Sequence, residues 1–134
     1  MQKDIRWKQR FHNLQKAKAT FDRVLAAYHK DTKNEITQIA LIQSFEFTYE
    51  LSYKVMQDYL NYMGIEVSYP REVLKQAFHN NLLKDGQVWI DMLDDRNLMS
   101  HAYEKSHADQ AISHITTRYV FALNDVFKYF MERY

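Results

Sequence analysis

Glycine occurs twice and proline once in these 134 residues, and that scarcity limits the folds open to the chain. Tight turns and hairpins lean on residues that reach left-handed φ or arrive with φ already set, so an all-β or doubly wound α/β fold would lack its connections. A glycine-rich phosphate loop and a dinucleotide fingerprint are absent as well. The expectation is an all-α fold, an antiparallel up-and-down bundle of four to five helices. It should form one domain over residues 1–134, a length that allows a hydrophobic core. There is no cysteine, which excludes disulfides, thiolate zinc sites and a cysteine nucleophile. No apolar run approaches the ~20 residues needed to cross a bilayer, and the opening MQKDIRWKQRFHN is too charged for a signal peptide. A cytoplasmic protein without membrane contact is expected.

Helical spacing of apolar residues marks the elements. Ile5, Leu14, Phe21, Leu25 and Tyr28 share one face of a first helix, while Lys16, Arg23 and Lys30 line a polar strip. Thr32 with Glu35 reads as a capping box opening a second helix. That helix carries Ile36, Ile39, Phe45, Tyr49, Val55, Met56, Tyr59, Leu60 and Met63, and Gly64 closes it. Pro70 suits a first helical turn, with Val73, Leu74, Ala77 and Phe78 as the buried face behind it. Asp85-Gly86 reads as a turn before a helix that buries Trp89, Met92 and Leu93. Ser106 with Asp109 resembles a cap for the last helix, whose apolar positions are Ile112, Ile115, Tyr119, Leu123, Phe127 and Phe130.

Charge is nearly balanced overall but unevenly spread. Residues 1–30 hold eight Lys/Arg against two Asp, whereas residues 85–109 hold six Asp/Glu against two Lys/Arg. Within the acidic stretch, DMLDDRNLMSHAYEK sets Arg96 five residues before His101 and seven before Tyr103. A straight helix would hold Arg96 and His101 about 140° apart. No acid lies three or four residues from Arg96, so its guanidinium either reaches water or meets an anion from another element. The pair becomes useful if the helix breaks between them, or if two copies of the segment meet across a dimer axis. Two arginines and two histidines in one groove would suit phosphate chemistry: arginine stabilises developing negative charge, and histidine moves protons near neutral pH.

The stretch RNLMSHAY is similar to the Arg-x4-His-x-Tyr signature of the HEPN superfamily (higher eukaryotes and prokaryotes nucleotide-binding), including the polar Asn97 directly after the arginine. QSFEFTYELSYKVMQDYLNYMGIEVSYPREVLKQAF and WIDMLDDRNLMSHAYE resemble the superfamily's nucleotidyltransferase substrate-binding branch. The likeness runs from about Phe11 to Tyr129.

That resemblance implies a small helical homodimer encoded beside a minimal nucleotidyltransferase. It further implies a metal-independent ribonuclease, the toxin of a type VII-like toxin–antitoxin pair, cutting RNA such as tRNA at a site shared by two protomers. Arg96 and His101 match the family's catalytic pair, with Asn97 in support. Tyr103 matches a tyrosine that receives AMP units from the partner enzyme, which would obstruct the groove. The alternative is a non-catalytic subunit that binds a nucleotide or substrate for the transferase. Neither a metal nor a cofactor is expected.

Other residues carry weaker signals. Glu46 and Glu50 share a helix face as a candidate partner or dimer surface, and Glu50 precedes Lys54 by four, the favourable order for an ion pair. His107 and His114 lie about 10.5 Å apart along a helix, too far to share one metal without further ligands. Asp91, Asp94, Asp95 and Glu104 surround the Arg–His motif and would repel an RNA backbone. The basic strip on the first helix compensates only if folding brings it alongside.

Overall fold

The computed structural model describes residues 3–134, and these are helical throughout, with no strand among them. Helix α1 (Lys3–Lys30) and helix α2 (Glu35–Tyr62) are long rods joined by four residues. Their contacts pair Trp7 with Tyr59, Arg10 with Asp58, Ala17 with Thr48 and Phe21 with Phe45. Positions rise on one helix as they fall on the other, so the pair is antiparallel. Three short helices follow: α3 (Pro70–His79), α4 (Gly86–Asp94) and α5 (Arg96–Ser100). The last rod is α6 (Lys105–His114), a π-helical turn (Ile115–Tyr119) and α7 (Val120–Met131). Phe45 meets Tyr119 and Tyr59 meets Phe130, so this rod runs parallel to α2, and α3–α5 form the return stroke between them. The expected up-and-down helical bundle is present.

Small and polar residues explain how closely α1 and α2 approach. Ser44, Thr48 and Ser52 lie along the buried side of α2, opposite Ala17. Each hydroxyl donates to a carbonyl of its own helix three or four residues back, so none is buried without a partner. Asp58 is buried and accepts a hydrogen bond from Arg10 Nε at 2.9 Å. At one end of the bundle Trp7, Phe11, Tyr59 and Phe130 pack edge-on or tilted, with centroids 5.1–6.0 Å apart. Such aromatic pairs contribute about 0.5–1.5 kcal/mol each beyond the area they bury.

Several boundaries differ from the sequence expectation. The N-cap of α2 is Asn34, whose side chain accepts from the Thr37 N–H; the Thr32–Glu35 capping box does not form. Gly64 has φ 89° and ends α2 as expected. Pro70 does open α3. Asp85 caps α4 by accepting from the Gln87 and Val88 N–H groups, and Gly86 is the first residue of that helix. Helix α6 begins one residue before Ser106, with Glu104 at its N-cap and no side-chain cap bond.

Burial follows the expected apolar faces with exceptions. Ile5, Ile36, Ile39, Met63 and Phe78 keep large exposed surfaces. Conversely Trp7, Phe11, Val120 and Val126 are buried, although the spacing did not single them out. In the last rod, the π turn slides later residues around the axis, so Val126 rather than Phe127 lies fully inside.

Candidate functional site

Helix α4 stops at Asp94, and Asp95 bridges to α5 with φ −75° and ψ −1°. Arg96 is therefore the first residue of a five-residue helix, and His101 lies just past its end with φ −107° and ψ 25°. The helix breaks at both ends of α5, before Arg96 and at His101, and runs unbroken from Arg96 to Ser100 rather than breaking between the two motif residues. The anchor of the first break is Asp95. One carboxylate oxygen of Asp95 lies 2.7 Å from His114 Nδ1 and accepts a short hydrogen bond from the Tyr119 hydroxyl. His114 and Tyr119 flank the π turn of the last rod, so an irregularity in one helix pins the irregularity between two others. Burial and the Asp95 carboxylate hold the Tyr119 phenol well above its ordinary pKa, so it stays a hydrogen-bond donor.

The other acids around the motif are occupied too. Asp91 accepts from Arg118 at 2.7 Å and from Gln87 at 2.9 Å, and these bonds lower its pKa. Asp94 pairs with Arg71. Glu104 Oε2 lies 3.2 Å from His107 Nδ1, off the hydrogen-bonding axis, so this ring nitrogen is buried with proximity but no bond. The repulsion expected from these carboxylates is thus partly offset within the chain. Compensation does not come from the basic strip: α1 packs on α2 and α7, while α5 packs on α4 and α6.

A cavity of about 900 Å³ opens between α2 and the α4–α5 segment. Arg96 and Asn97 line it from α5, and Glu46, Tyr49 and Glu50 line it from α2. The anion that meets Arg96 is Glu50, with Nη2 3.3 Å from Oε1. Glu50 thus pairs across the fold with Arg96, and no ion pair with Lys54 occurs among the described residues. Glu46 sits one turn earlier; burial raises its pKa, Arg96 opposes that rise and Glu50 adds to it. The Tyr49 ring stacks between Phe45 and Trp89, while its hydroxyl, sealed from bulk water, has no hydrogen-bond partner.

His101 does not line this cavity. Its Nδ1 lies 3.0 Å from the Tyr103 hydroxyl, and its ring lies 6.2 Å from that of His107. Tyr103 is 79% exposed. It borders a hollow of about 280 Å³ shared with Ile39, Glu46 and Met99, which continues the main cavity along α2. The fold therefore brings Arg96, Asn97, Glu46 and Glu50 together and joins His101 to Tyr103 as a second, outward-facing group. His107 and His114 serve different partners, and no group of three or more His, Asp or Glu placed to hold a metal occurs among the described residues. No described helix is long and apolar enough to cross a membrane.

Residues 9–132 match the family described as nucleotidyltransferase substrate binding protein like. The chain belongs to that family. Among solved structures, the HI0074 protein of Haemophilus influenzae, described as revealing the fold of a substrate binding domain of a nucleotidyltransferase, superposes with a TM-score of 0.80. It is 23% identical, with 89% of this chain and 97% of that chain covered, and shows that the helical fold is shared. A protein of Thermus thermophilus gives a TM-score of 0.64 at 30% identity, covering 81% and 96% of the two chains. A Haemophilus influenzae protein named probable ribonuclease HepT is 38% identical over 72 residues. That match spans 50% of this chain and about half, 49%, of the relative's length. The HEPN resemblance read from RNLMSHAY thus agrees with the family and with the name of this relative.

Tyr49, Tyr119, Arg71 and Arg118 join the site without any signal in the motif or its spacing. Tyr49 and Tyr119 were legible only as apolar positions, because helical spacing reports that a side chain points inward and not where its hydroxyl ends.

Proposed function

We propose that this family member is a homodimeric HEPN ribonuclease, the toxin of a two-gene pair with a minimal nucleotidyltransferase, acting in the cytoplasm on RNA such as tRNA. The observation that carries the reading is the division of the motif: Arg96 faces the cavity, while His101 faces outward beside Tyr103. One chain alone offers half a site on each side, which is the arrangement expected of a groove completed by a second copy. Ile39, 60% exposed on α2, supplies apolar surface beside Tyr103 for that copy, and Ile36 on the same helix is 80% exposed. In this reading His101 takes the proton of a ribose 2′-hydroxyl as its oxygen attacks phosphorus. The bond to the 5′ oxygen breaks, and that oxygen takes a proton from the second imidazole. The products are a 2′,3′-cyclic phosphate and a 5′-hydroxyl. Arg96 holds the phosphoryl oxygens, Asn97 orients the groove, and no metal enters. AMP added by the transferase to the exposed Tyr103 hydroxyl, 3.0 Å from His101, would place a bulky anion in the way of the RNA backbone.

The name of the HepT relative supports the nuclease. The pairing of Arg96 with Glu50 favours a second reading, a non-catalytic subunit that presents a nucleotide or acceptor substrate to the transferase. Incubating the purified protein with tRNA in EDTA, beside Arg96→Ala and His101→Ala, separates them. Cleavage by the wild type alone supports the nuclease. Equal cleavage by all three, or none by any of them together with a stable complex with the transferase, removes the mechanism.

A further inference from the structure

Helices α3 and α4 lie antiparallel, for Arg71 pairs with Asp94 at one end while the Phe78 ring rests on Gly86 at the other. A hollow opens at each end of this pair. The cavity that Arg96 lines lies at the Arg71 end. A second hollow, of about 590 Å³, lies at the Phe78 end, where Leu74, Phe78 and Ile90 form its apolar wall and Lys75, His79 and Lys84 its rim. Arg71, Lys75 and His79 stand four residues apart, so they form one ridge of α3 about 12 Å long that joins the two hollows. The hollows differ in charge. Glu46, Glu50 and Asp94 outnumber Arg71 and Arg96 in the first. Asp85 is the one carboxylate lining the second among the described residues, and the Gln87 and Val88 N–H groups already occupy it. Lys75 makes no ion pair among the described residues, and Lys84 reaches only Asp125, at 3.9 Å. Phe78 is 47% exposed. Gly86 gives its ring room, since a methyl group added there would come within 3.2 Å of it.

We propose that this trough is a track for single-stranded RNA: Arg71, Lys75 and Lys84 hold backbone phosphates, and a base stacks on Phe78, so that the strand is led toward Arg96. Grooves that hold single strands combine cations that follow the backbone with exposed aromatic rings on which bases stack. Every base has a π face, so such a track accepts any sequence. It also supplies the positive charge that the motif cavity lacks and that the strip on α1 does not bring alongside. A duplex offers no free base face to Phe78 and is disfavoured. An acidic peptide would meet the lysines as well, but a basic ridge that ends beside Arg96 favours a polynucleotide.

This inference rests on the nuclease reading and deepens it by saying how the substrate strand arrives. The test titrates the full chain into fluorescein-labelled 2′-O-methyl RNA, which has no attacking hydroxyl and stays intact, at several salt concentrations. Lys75→Ala and Lys84→Ala should each weaken binding whatever the sequence, and each should lower the slope of log K against log salt by about 0.7. Phe78→Ala should weaken binding about five- to 150-fold with the salt slope unchanged, and Phe78→Trp should restore it. Lys16→Ala, on the α1 strip, is the control for general charge and should change neither quantity. The same sequence as a duplex should bind about tenfold more weakly or worse. The unfolding midpoint of each variant separates loss of contact from loss of fold, and the tryptophan rescue keeps Phe78 testable if the alanine variant is unstable. Equal losses in Lys16→Ala and Lys75→Ala, a duplex bound as tightly as the single strand, or no RNA binding at all overturns the track. So does capture of the transferase that depends on Lys75 and Phe78 while RNA binding ignores both, which would assign the hollow to a protein. Cleavage that depends on Arg96 and His101 with RNA binding indifferent to Lys75, Phe78 and Lys84 would sink the track alone. RNA binding that depends on those three without cleavage would sink the nuclease alone.

Discussion

Replacing Glu50 by glutamine removes the anion that Arg96 meets in the free chain while keeping the side chain's shape and one acceptor oxygen. The Arg96–Glu50 pair is half open to solvent, with side chains 55% and 38% exposed and a separation of 3.3 Å. Ion pairs of that exposure contribute about 1 kcal/mol at most, because water and salt screen them. A phosphate arriving at Arg96 must displace Glu50 and lose that amount, so Glu50→Gln should strengthen RNA binding by about two- to fivefold. The assay is fluorescence anisotropy of a labelled single-stranded RNA against wild type, Glu50→Gln, Arg96→Ala and the double variant, at low and high salt. If Glu50 acts through Arg96, the gain disappears in the Arg96→Ala background and shrinks as salt rises. A gain of equal size without Arg96 would mean general charge repulsion. Weaker binding by Glu50→Gln would refute the competition outright.

Two further predictions concern the frame around the site. Asp95→Ala should cost about 1–3 kcal/mol in urea denaturation, because it strands the His114 ring nitrogen and the buried Tyr119 hydroxyl. Asp95→Asn should lose less, and an alanine variant as stable as wild type would remove Asp95 as the anchor of the break. Asp91→Asn should be less stable than wild type at neutral pH. Arg118 and Gln87 lower the Asp91 pKa, so the stability it contributes is present above the ordinary aspartate value and is lost as pH falls through the depressed one. The gap between the two proteins should therefore close in strong acid, and a gap that stays constant from neutral pH downward would contradict the pairing.

Local rules read some elements well and others poorly, and the difference is physical. Gly64 and Pro70 mark true helix ends because left-handed φ and a missing N–H act on the backbone wherever it goes. Thr32 failed as a cap because cap geometry competes among neighbouring polar side chains and Asn34 accepts from the Thr37 N–H instead, whereas Ser106 failed because α6 already starts at Lys105 with no side-chain cap bond. The π turn at Ile115–Tyr119 left no mark in the apolar spacing, since Ile112, Ile115, Tyr119, Leu123 and Phe130 stay buried at helical intervals across it and only Phe127 gives way to Val126. At the site, the motif named Arg96, Asn97, His101 and Tyr103, but it could not reveal that Asp95 would be held by His114 and Tyr119, nineteen and twenty-four residues away.

The amino-acid sequence determined the helical class, the long α1–α2 pair and the identity of the motif residues, because glycine scarcity, periodicity and side-chain chemistry act over a few residues at a time. Which way those residues face was decided only in three dimensions. The break at Asp95 depends on side chains from the last rod. The partner of Arg96 comes from α2, forty-six residues earlier in the chain. Charges and hydroxyls take their roles from whatever the packed helices bring within hydrogen-bonding reach, and no local pattern specifies that neighbour.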